Sequence, residues 1–492
     1  MYKKQSGQMG IEDFGMPLGL KLSSDNRWVK KAATVPWDAI EEKYAALFKS
    51  VRGKAAKPLR LALGSLIIKT TYQFSDEEVA LQIQENPYFQ YFCGLRSYTG
   101  AMPFDASLMT YFRRRLTPEI MAEINELIIA QAEGQRAEAE AKKRKGDKGG
   151  GSGGGGASGS ANKGTLIVDA TCAPQNIAYP TDLGLLNDAR ESLEQMVDEL
   201  HSPADGKKPR TYRKEARMKY VRAARNRKKK KGALHKAMGE QLGYIERDLG
   251  IIEAYKARGR FLSEKMSVRL ETCVRIFWQH VFRRNNQGCS IPDRIVSLCQ
   301  PWVRPIVRGK AKNEYEFGAK IEFSIAGGFT RLEHSSFDPY NESTTLIGTI
   351  ERYKERAGFY PKKVLADKIY RTADNVKYCL ERHIEIPGSP LGKAKKELTE
   401  TVRKLYRKAE IDRIEVERKI GLAKGSYGLG LVTAKLDATS LTAIAASVLC
   451  LNIGRALRVL FAFFQKWLAW LQNLSASYIL APRIGKKMLA LA

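Results

Sequence analysis

Apolar positions recur every three to four residues through residues 1 to about 141, the spacing of helices that each bury one face. EEKYAALFKSV, PLRLALGSLIIKTTYQ, DEEVALQIQENPYFQYFC and SLMTYFRRRLTPEIMAEINELIIAQAEGQRAEAEAKKRK all carry this pattern, and strand-like alternation is nearly absent. Ser75 before DEEVA and Asp105 before SLMTYF read as helix caps, because short polar side chains there accept from free backbone amides. A Gly/Ser tract, GDKGGGSGGGGASGSANKG (146–164), then interrupts the pattern; it has no apolar area to bury and reads as a flexible linker. TLIVDAT (165–171) follows it, a β-branched apolar run that predicts a buried strand closed by Asp169.

Residues 185–305 return to helical spacing and are strongly basic. Strand character resumes at 315–338, where IEFSI and FTRLEHSSF flank Ala326-Gly327-Gly328, a hairpin turn. A helix is expected over 343–358, then a strand in KKVLADKIY (362–370) closed by Asp367, then a helix over 398–421. Strands mixed with helices predict an α/β fold, α+β overall. The expected organisation is a helical N-terminal domain (1–145), the linker (146–164) and a catalytic core (165–184 and 306–435). A basic helical insertion (185–305) would interrupt that core after its first strand, and an apolar helix and tail (436–492) would complete it.

That last helix is apolar enough to suggest a membrane span over 440–471. Its longest charge-free run is about 15 residues, short of the ~20 a span requires. Arg455, Arg458 and Lys466 recur near helical spacing, so a helix packed in the core is expected and no membrane partner.

Charge narrows the partners. Lys and Arg number 83 against 53 Asp and Glu, a net charge of +30, which points to a polyanion. Seven dispersed cysteines without a CxxC pair suit neither a disulfide framework nor a zinc site, and the N-terminus shows no apolar signal segment. Reduced thiols in a cytoplasmic protein are expected.

Two carboxylates closing two strands present oxygen ligands at one sheet edge, as open α/β sheets do. Such a pair repels unless a hard cation sits between, and oxygen-only ligation suits Mg²⁺ or Mn²⁺. Taken singly, each Asp is equally a turn residue. In DRIEVERKIGLAKGSYG, Arg413, Glu417 and Lys424 are four and seven positions apart, which puts them on one helix face. Cation, carboxylate and cation on one face suit a metal beside a phosphate, though a solvated face with weak pairs reads the same way. Glu415, two positions from Glu417, points elsewhere.

In order, the blocks VDATCAPQNIAYPTDLGLLNDARE (168–191), VLADKIYRTADN (364–375) and RIEVERKIGLAKGSYGLG (413–430) resemble those of bacterial insertion-sequence DDE transposases. The likeness is to the insertion-sequence-five-like group with an InsH-type N-terminal domain, and MPFDASLMTYFRRRLTPE (102–119) resembles that group's segment joining the two parts. One position departs from the pattern: Glu410 stands where the signature usually has Tyr. The resemblance implies an RNase-H-like core with Asp169, Asp367 and Glu417 as catalytic residues and ligands of two Mg²⁺ or Mn²⁺ ions. It also implies that Arg413 and Lys424 orient the phosphodiester. It further implies DNA cleavage at terminal inverted repeats and strand transfer into target DNA, within a homodimer bridging two double-stranded ends.

The run 207–231 (KKPRTYRKEARMKYVRAARNRKKKK) is the expected DNA contact, through Arg213, Lys214, Arg217, Lys219, Arg222, Arg225, Arg227, Lys228, Lys229, Lys230 and Lys231. Tyr212 and Tyr220 interleave with it and are placed to stack on bases, although a charge run is often just a solvated face. Trp37, Tyr88, Phe89, Tyr91 and Phe92 read as core, one Arg of Arg113–Arg115 as a partner for nearby acids, and His334 and His383 as residues without a role. Two other readings stand beside the transposase: an RNase-H-like nuclease that cuts without joining, and a catalytically silent transposase-derived DNA-binding protein.

Overall fold

The structure is a computed structural model that describes residues 1–4, 8–48, 53, 55–146, 162–226, 231–286, 289–310, 313–388, 392 and 399–480. The Gly/Ser tract from 147 to 161, and Arg227, Lys228, Lys229 and Lys230 of the basic run, lie outside the described residues.

The N-terminal part is helical, as its periodicity predicts. Its helices are α1 (Arg27–Thr34), α2 (Trp37–Ala45), α3 (Leu59–Tyr72), α4 (Asp76–Glu85), α5 (Pro87–Phe92), α6 (Leu108–Arg115) and α7 (Pro118–Gly146). Ser75 caps α4, its Oγ accepting from the Glu78 amide at 3.0 Å. Asp105 does not cap α6 directly; it accepts from Ser107 N at 2.9 Å, and Ser107 is the N-cap position. Trp28 and Trp37 meet the ring of Phe92 edge to face, at centroid distances of 4.7 and 5.5 Å, so these aromatics form the core. Arg113 makes a two-pronged pair with Asp76, at 2.8 and 2.6 Å, and is thereby committed to this domain.

A five-stranded sheet forms the centre, from β1 (Thr165–Pro174), β2 (Arg304–Lys310), β3 (Asn313–Ala326), β4 (Phe329–Ser336) and β5 (Lys363–Ala366). The order is β2-β3-β1-β5, with β4 also on β3; β1 runs antiparallel to β3 and parallel to β5. The hairpin between β3 and β4 turns at Gly327 and Gly328, whose φ values of 61° and 82° are the conformation that side-chain-bearing residues avoid. Strand β2 does not show in the apolar pattern: RPIVRGK alternates poorly, and Val307 is 65% exposed.

Between β1 and β2 the chain forms α8 (Asp182–Leu200), α9 (Arg213–Arg225), α10 (Lys231–Ala257) and α11 (Glu264–Asn285). These bury a core of their own, including Leu186, Leu193, Met196, Ile245, Cys273 and Ile276. Within it Arg190 is buried and satisfied by Gln241, Asn187 and Glu194. Asp248 is fully buried there, and neither carboxylate oxygen has a hydrogen-bond partner among the described residues.

The remaining helices are α12 (Leu346–Ala357), α13 (Ala373–Glu381), α14 (Glu400–Ser426) and α15 (Asp437–Leu480). Helix α15 explains its own composition. Ala445, Ala446, Leu449, Cys450 and Ile453 enter the N-terminal helical core, while Ile444, Val448 and Leu451 enter the core between sheet and α14. A helix buried on two sides must be apolar nearly all round. By length and composition Asp437–Leu460 would pass for a span, yet most of its apolar stretch is covered by protein.

Helix α15 is fastened to the sheet by a buried amide. Asn452 accepts from Thr330 N at 2.9 Å and donates to Thr330 O at 2.6 Å and Asn125 Oδ1 at 2.7 Å, which joins α15, β4 and α7. Asn452→Ala strands these groups away from water, and each costs about 1–3 kcal/mol. The variant should therefore melt several degrees lower, as read by thermal denaturation; an unchanged midpoint would show that this network carries no stability.

Burial, reinforced by the Glu194 charge, raises the Asp248 carboxyl from 3.8 to about 7. Across that interval the folded protein holds a proton that the unfolded chain has lost, so this group's contribution to stability declines as pH rises from 3.8 to about 7. Asp248→Asn removes the decline. The variant should melt above wild type on the alkaline side of the interval, with the gap closing on the acid side. Parallel melting curves for the two proteins across that range would contradict it.

Candidate active site

Asp169 lies within β1 rather than at its end, because β1 continues to Pro174. The reason is the partner on one side: β1 stays paired with β3 from Ile167 to Pro174, which keeps it extended past the acid. On the other side, parallel pairing with β5 stops at Val168↔Ala366. Asp169 and Asp367 are the next residues on two neighbouring parallel strands, about 5 Å apart in the pairing direction. Asp367 does close its strand, as its position in the sequence predicts; it is exposed, and its carboxylate accepts from the Lys368 amide at 2.6 Å.

Helix α14 packs across β1 and β5 and supplies the third part. Arg413 reaches Asp169 Oδ2 at 3.4 Å with Nη1 and Glu417 Oε1 at 3.2 Å with Nη2. The guanidinium therefore stands between the two acids and links strand to helix. Burial raises the Asp169 carboxyl to about 6 against the opposing pull of Arg413, and the charges of Asp367 and Glu342 push the same way as burial. A carboxyl raised this far, mainly by burial, beside specific charged partners is characteristic of functional sites. Glu415 is turned away from this cluster and lines a cavity with Thr165 and Ile167, which separates it from Glu417. Lys424 lies about 10 Å beyond Glu417 along the helix. It faces Glu316 on β3, at 4.0 Å, so it belongs to the same helix but not to the contact around Asp169.

Sequence reasoning passes over the groups that hold the Asp367 loop. Glu322, opposite Ala170 in register, is fully buried on the other face of the sheet. It accepts from Thr349 at 2.6 Å and Tyr370 at 3.2 Å, and also from Thr345; burial raises its carboxyl while these hydroxyls oppose the rise. Asn375 donates to Ser343 O at 2.7 Å and Tyr370 O at 2.8 Å. Together they fix the turn Lys368–Tyr370 directly after Asp367. The signal that could find them is a lone acid, Glu322, at an inward position of the apolar run IEFSI.

The basic run divides into residues paired with nearby acids and residues turned to solvent. Arg213 is paired with Asp198 at 2.8 Å and lies 3.9 Å from Glu194, and Lys219 is paired with Glu215 at 2.9 Å. Both tie α9 to itself and to α8. Lys214, Arg217, Arg222, Arg225 and Lys231 are exposed. Tyr212 is exposed at the start of α9 under the Arg247 guanidinium, 4.7 Å from ring centroid to cation. His334 packs edge to face on Tyr340.

Acids at a sheet edge, a basic helix face and a strongly positive chain describe a protein that works on nucleic acid. Known families agree. Residues 17–115 match a transposase domain (DUF772), and residues 364–454 match a transposase DDE domain. The second match spans Asp367, Arg413, Glu417 and Lys424, while Asp169 lies outside it. The chain is also similar to the uncharacterized protein ORF8 in the nfe locus of Rhizobium meliloti, 31% identical over 165 residues, which is 34% of this chain and 70% of that protein. No solved structure matches. The chain belongs to the insertion-sequence DDE transposases.

If the exposed cations of α9 meet DNA phosphates, replacing Lys214, Arg217, Arg222 and Arg225 with Gln should flatten the salt dependence of DNA binding by about 0.9 for each phosphate no longer neutralised. Arg213→Gln should instead lower the melting temperature and leave that slope unchanged. Equal slopes for wild type and the fourfold variant would remove α9 from the DNA interface.

Proposed function

We propose that this transposase cuts DNA at the inverted repeats ending its element and joins the freed 3′ ends to target DNA, with Asp169, Asp367 and Glu417 as catalytic residues. The observation that carries the reading is the end of the β1–β5 pairing at Val168 and Ala366, which sets two acids side by side beneath Arg413 and Glu417. The strand order around β1, with antiparallel β3 (itself paired with β2 and β4) on one side and parallel β5 on the other, is compatible with the RNase-H-like core of this family.

The donor set suits a hard divalent cation: all three candidates are carboxylates, and the raised Asp169 with its like-charged neighbour gains from a cation between them. Among the described residues no three acids already converge as a ready cage, and Glu417 is engaged by Arg413. Bound there, Mg²⁺ or Mn²⁺ would supply activation of the attacking oxygen and stabilisation of the leaving one. The chain's own part is to position. Asp169, whose carboxyl burial holds up at about 6, would ligate as the carboxylate beside Asp367, and the cation would offset the repulsion between the two. Arg413, released from the carboxylates, pairs with phosphate oxygens near the cut, and Lys424 steadies the strand further along α14. The exposed cations of α9 and the helical N-terminal domain hold the DNA outside the core, in a homodimer that bridges two ends.

The test uses purified protein, Mg²⁺ and donor DNA carrying the element's ends, with cleavage and joined products resolved on a gel. Asp169→Asn, Asp367→Asn and Glu417→Gln should each lower cleavage about a hundredfold or more, an amount typical of losing one essential electrostatic group. They should still bind DNA. Any of the three cutting at the wild-type rate would remove that residue from the site, and cleavage without joining would favour a nuclease.

A further inference from the structure

Arg455 and Arg458 interrupt the apolar pattern of α15, and the candidate active site does not use them. They line a cavity of about 630 Å³ between α14, α15 and the ends of β1 and β5 where Thr165 and Leu365 lie. Arg418 and Lys419 of α14 line the same cavity, with Asp412 and Glu415 as its acids. Four cations thus face two carboxylates, and one of those, Asp412, leans towards Lys363, at 4.0 Å. None of the guanidiniums of Arg418, Arg455 and Arg458 is ion-paired with a carboxylate among the described residues.

The arrangement is costly without an anion. Lys419 is 9% exposed and spends its ammonium on the Gly328 carbonyl at 2.9 Å. Burial first, and then the neighbouring charge of Arg455, hold its ammonium below the usual lysine range, with Arg458 adding to the effect. The Arg455 Nε is buried without an acceptor, and a buried unsatisfied donor of a charged group is rarely retained without a use. Like charges gathered around one cavity with a spare donor are a receptor for a phosphate-sized anion.

We propose that Arg418, Arg455 and Arg458 bind a backbone phosphate of the DNA strand whose scissile phosphodiester lies at Asp169. This rests on the catalytic reading above. It follows from the helix: Glu417 and Arg418 are consecutive on α14 and point about 100° apart, so one faces the acids and the other the cavity. The two are separated by no more than the thickness of one helix, about 10 Å, or roughly three nucleotides along a duplex axis at a rise of about 3.4 Å each. A strand crossing α14 meets both.

The experiment measures the affinity of the full chain for a short duplex carrying the element's end, without metal, across a range of salt. Arg418 and Arg458 are exposed, so Arg418→Gln with Arg458→Gln removes the charge without opening the core. That pair should leave this phosphate without most of its neutralising charge, a slope smaller by up to about 0.9. A control with equal loss of charge on the exposed start of the same helix, Lys404→Gln with Arg407→Gln, should change the slope by less than half as much. Arg418→Lys with Arg458→Lys, which keeps the charge, should recover the wild-type slope. Coincident slopes for the cavity variant and the control overturn the proposal. A second arm adds millimolar inorganic phosphate and reads the melting temperature. Stabilisation of wild type but not of the cavity variant, with coincident DNA slopes, would mean a free-anion site and would also overturn it. Failure of the catalytic reading is seen separately, as loss of Mg²⁺-dependent cleavage by wild type, whereas the cavity is decided by binding without metal.

Discussion

Two carboxylates side by side repel, and the arrangement of the core answers that repulsion. The pairing of β1 with β5 is only four residues long, Thr165↔Lys363 to Val168↔Ala366, and the acids follow at once on both strands. Burial raises the Asp169 carboxyl to about 6, and the charge of Asp367 adds to the rise. Arg413 offsets part of the cost by lying between Asp169 and Glu417. The loop after Asp367 is held from the opposite face of the sheet, where buried Glu322, Tyr370 and Asn375 consume one another's hydrogen-bonding capacity. A fully satisfied polar network beneath the sheet thus supports an electrostatically strained pair above it.

Two other parts of the chain support this core. The insertion between β1 and β2 buries an apolar set of its own, and near its end Val296 and Val303 join the core under the sheet. Helix α15 does the reverse and has no core of its own. It is shared between the N-terminal helices and the sheet, and the buried Asn452 fixes how it lies on β4. Because β4 pairs with β3, and β3 with β1, that amide ties the N-terminal layer to the strand that carries Asp169.

The basic character of the chain is likewise divided by structure rather than spread evenly. On α9 the paired cations, Arg213 and Lys219, neutralise acids of the insertion, and Lys214, Arg217, Arg222 and Arg225 face solvent. On α14 and α15, cations at the surface and in the cavity flank the acids on the far side of one helix. A net charge of +30 therefore contains both structural and interfacial charge, and only the second kind is available to a polyanion.

The sequence by itself determined the elements whose signals are local. Helical periodicity, the Ser75 cap, the Gly327-Gly328 hairpin, the strand before Asp367 and the shared face of Arg413 and Glu417 all follow from spacing and from residue conformation. The three acids and their order could also be recognised as those of a family. Tertiary structure alone decided the rest, because it depends on contacts between residues far apart in the chain. It extended β1 past Asp169 through pairing with β3 and added β2 from a poorly alternating segment. It put Arg413 between acids 244 positions and 4 positions away, and left Lys424 facing Glu316. Periodicity reports which face of an element is buried, but not what it is buried against, and the chemistry of Asp169 is set by its neighbours in space.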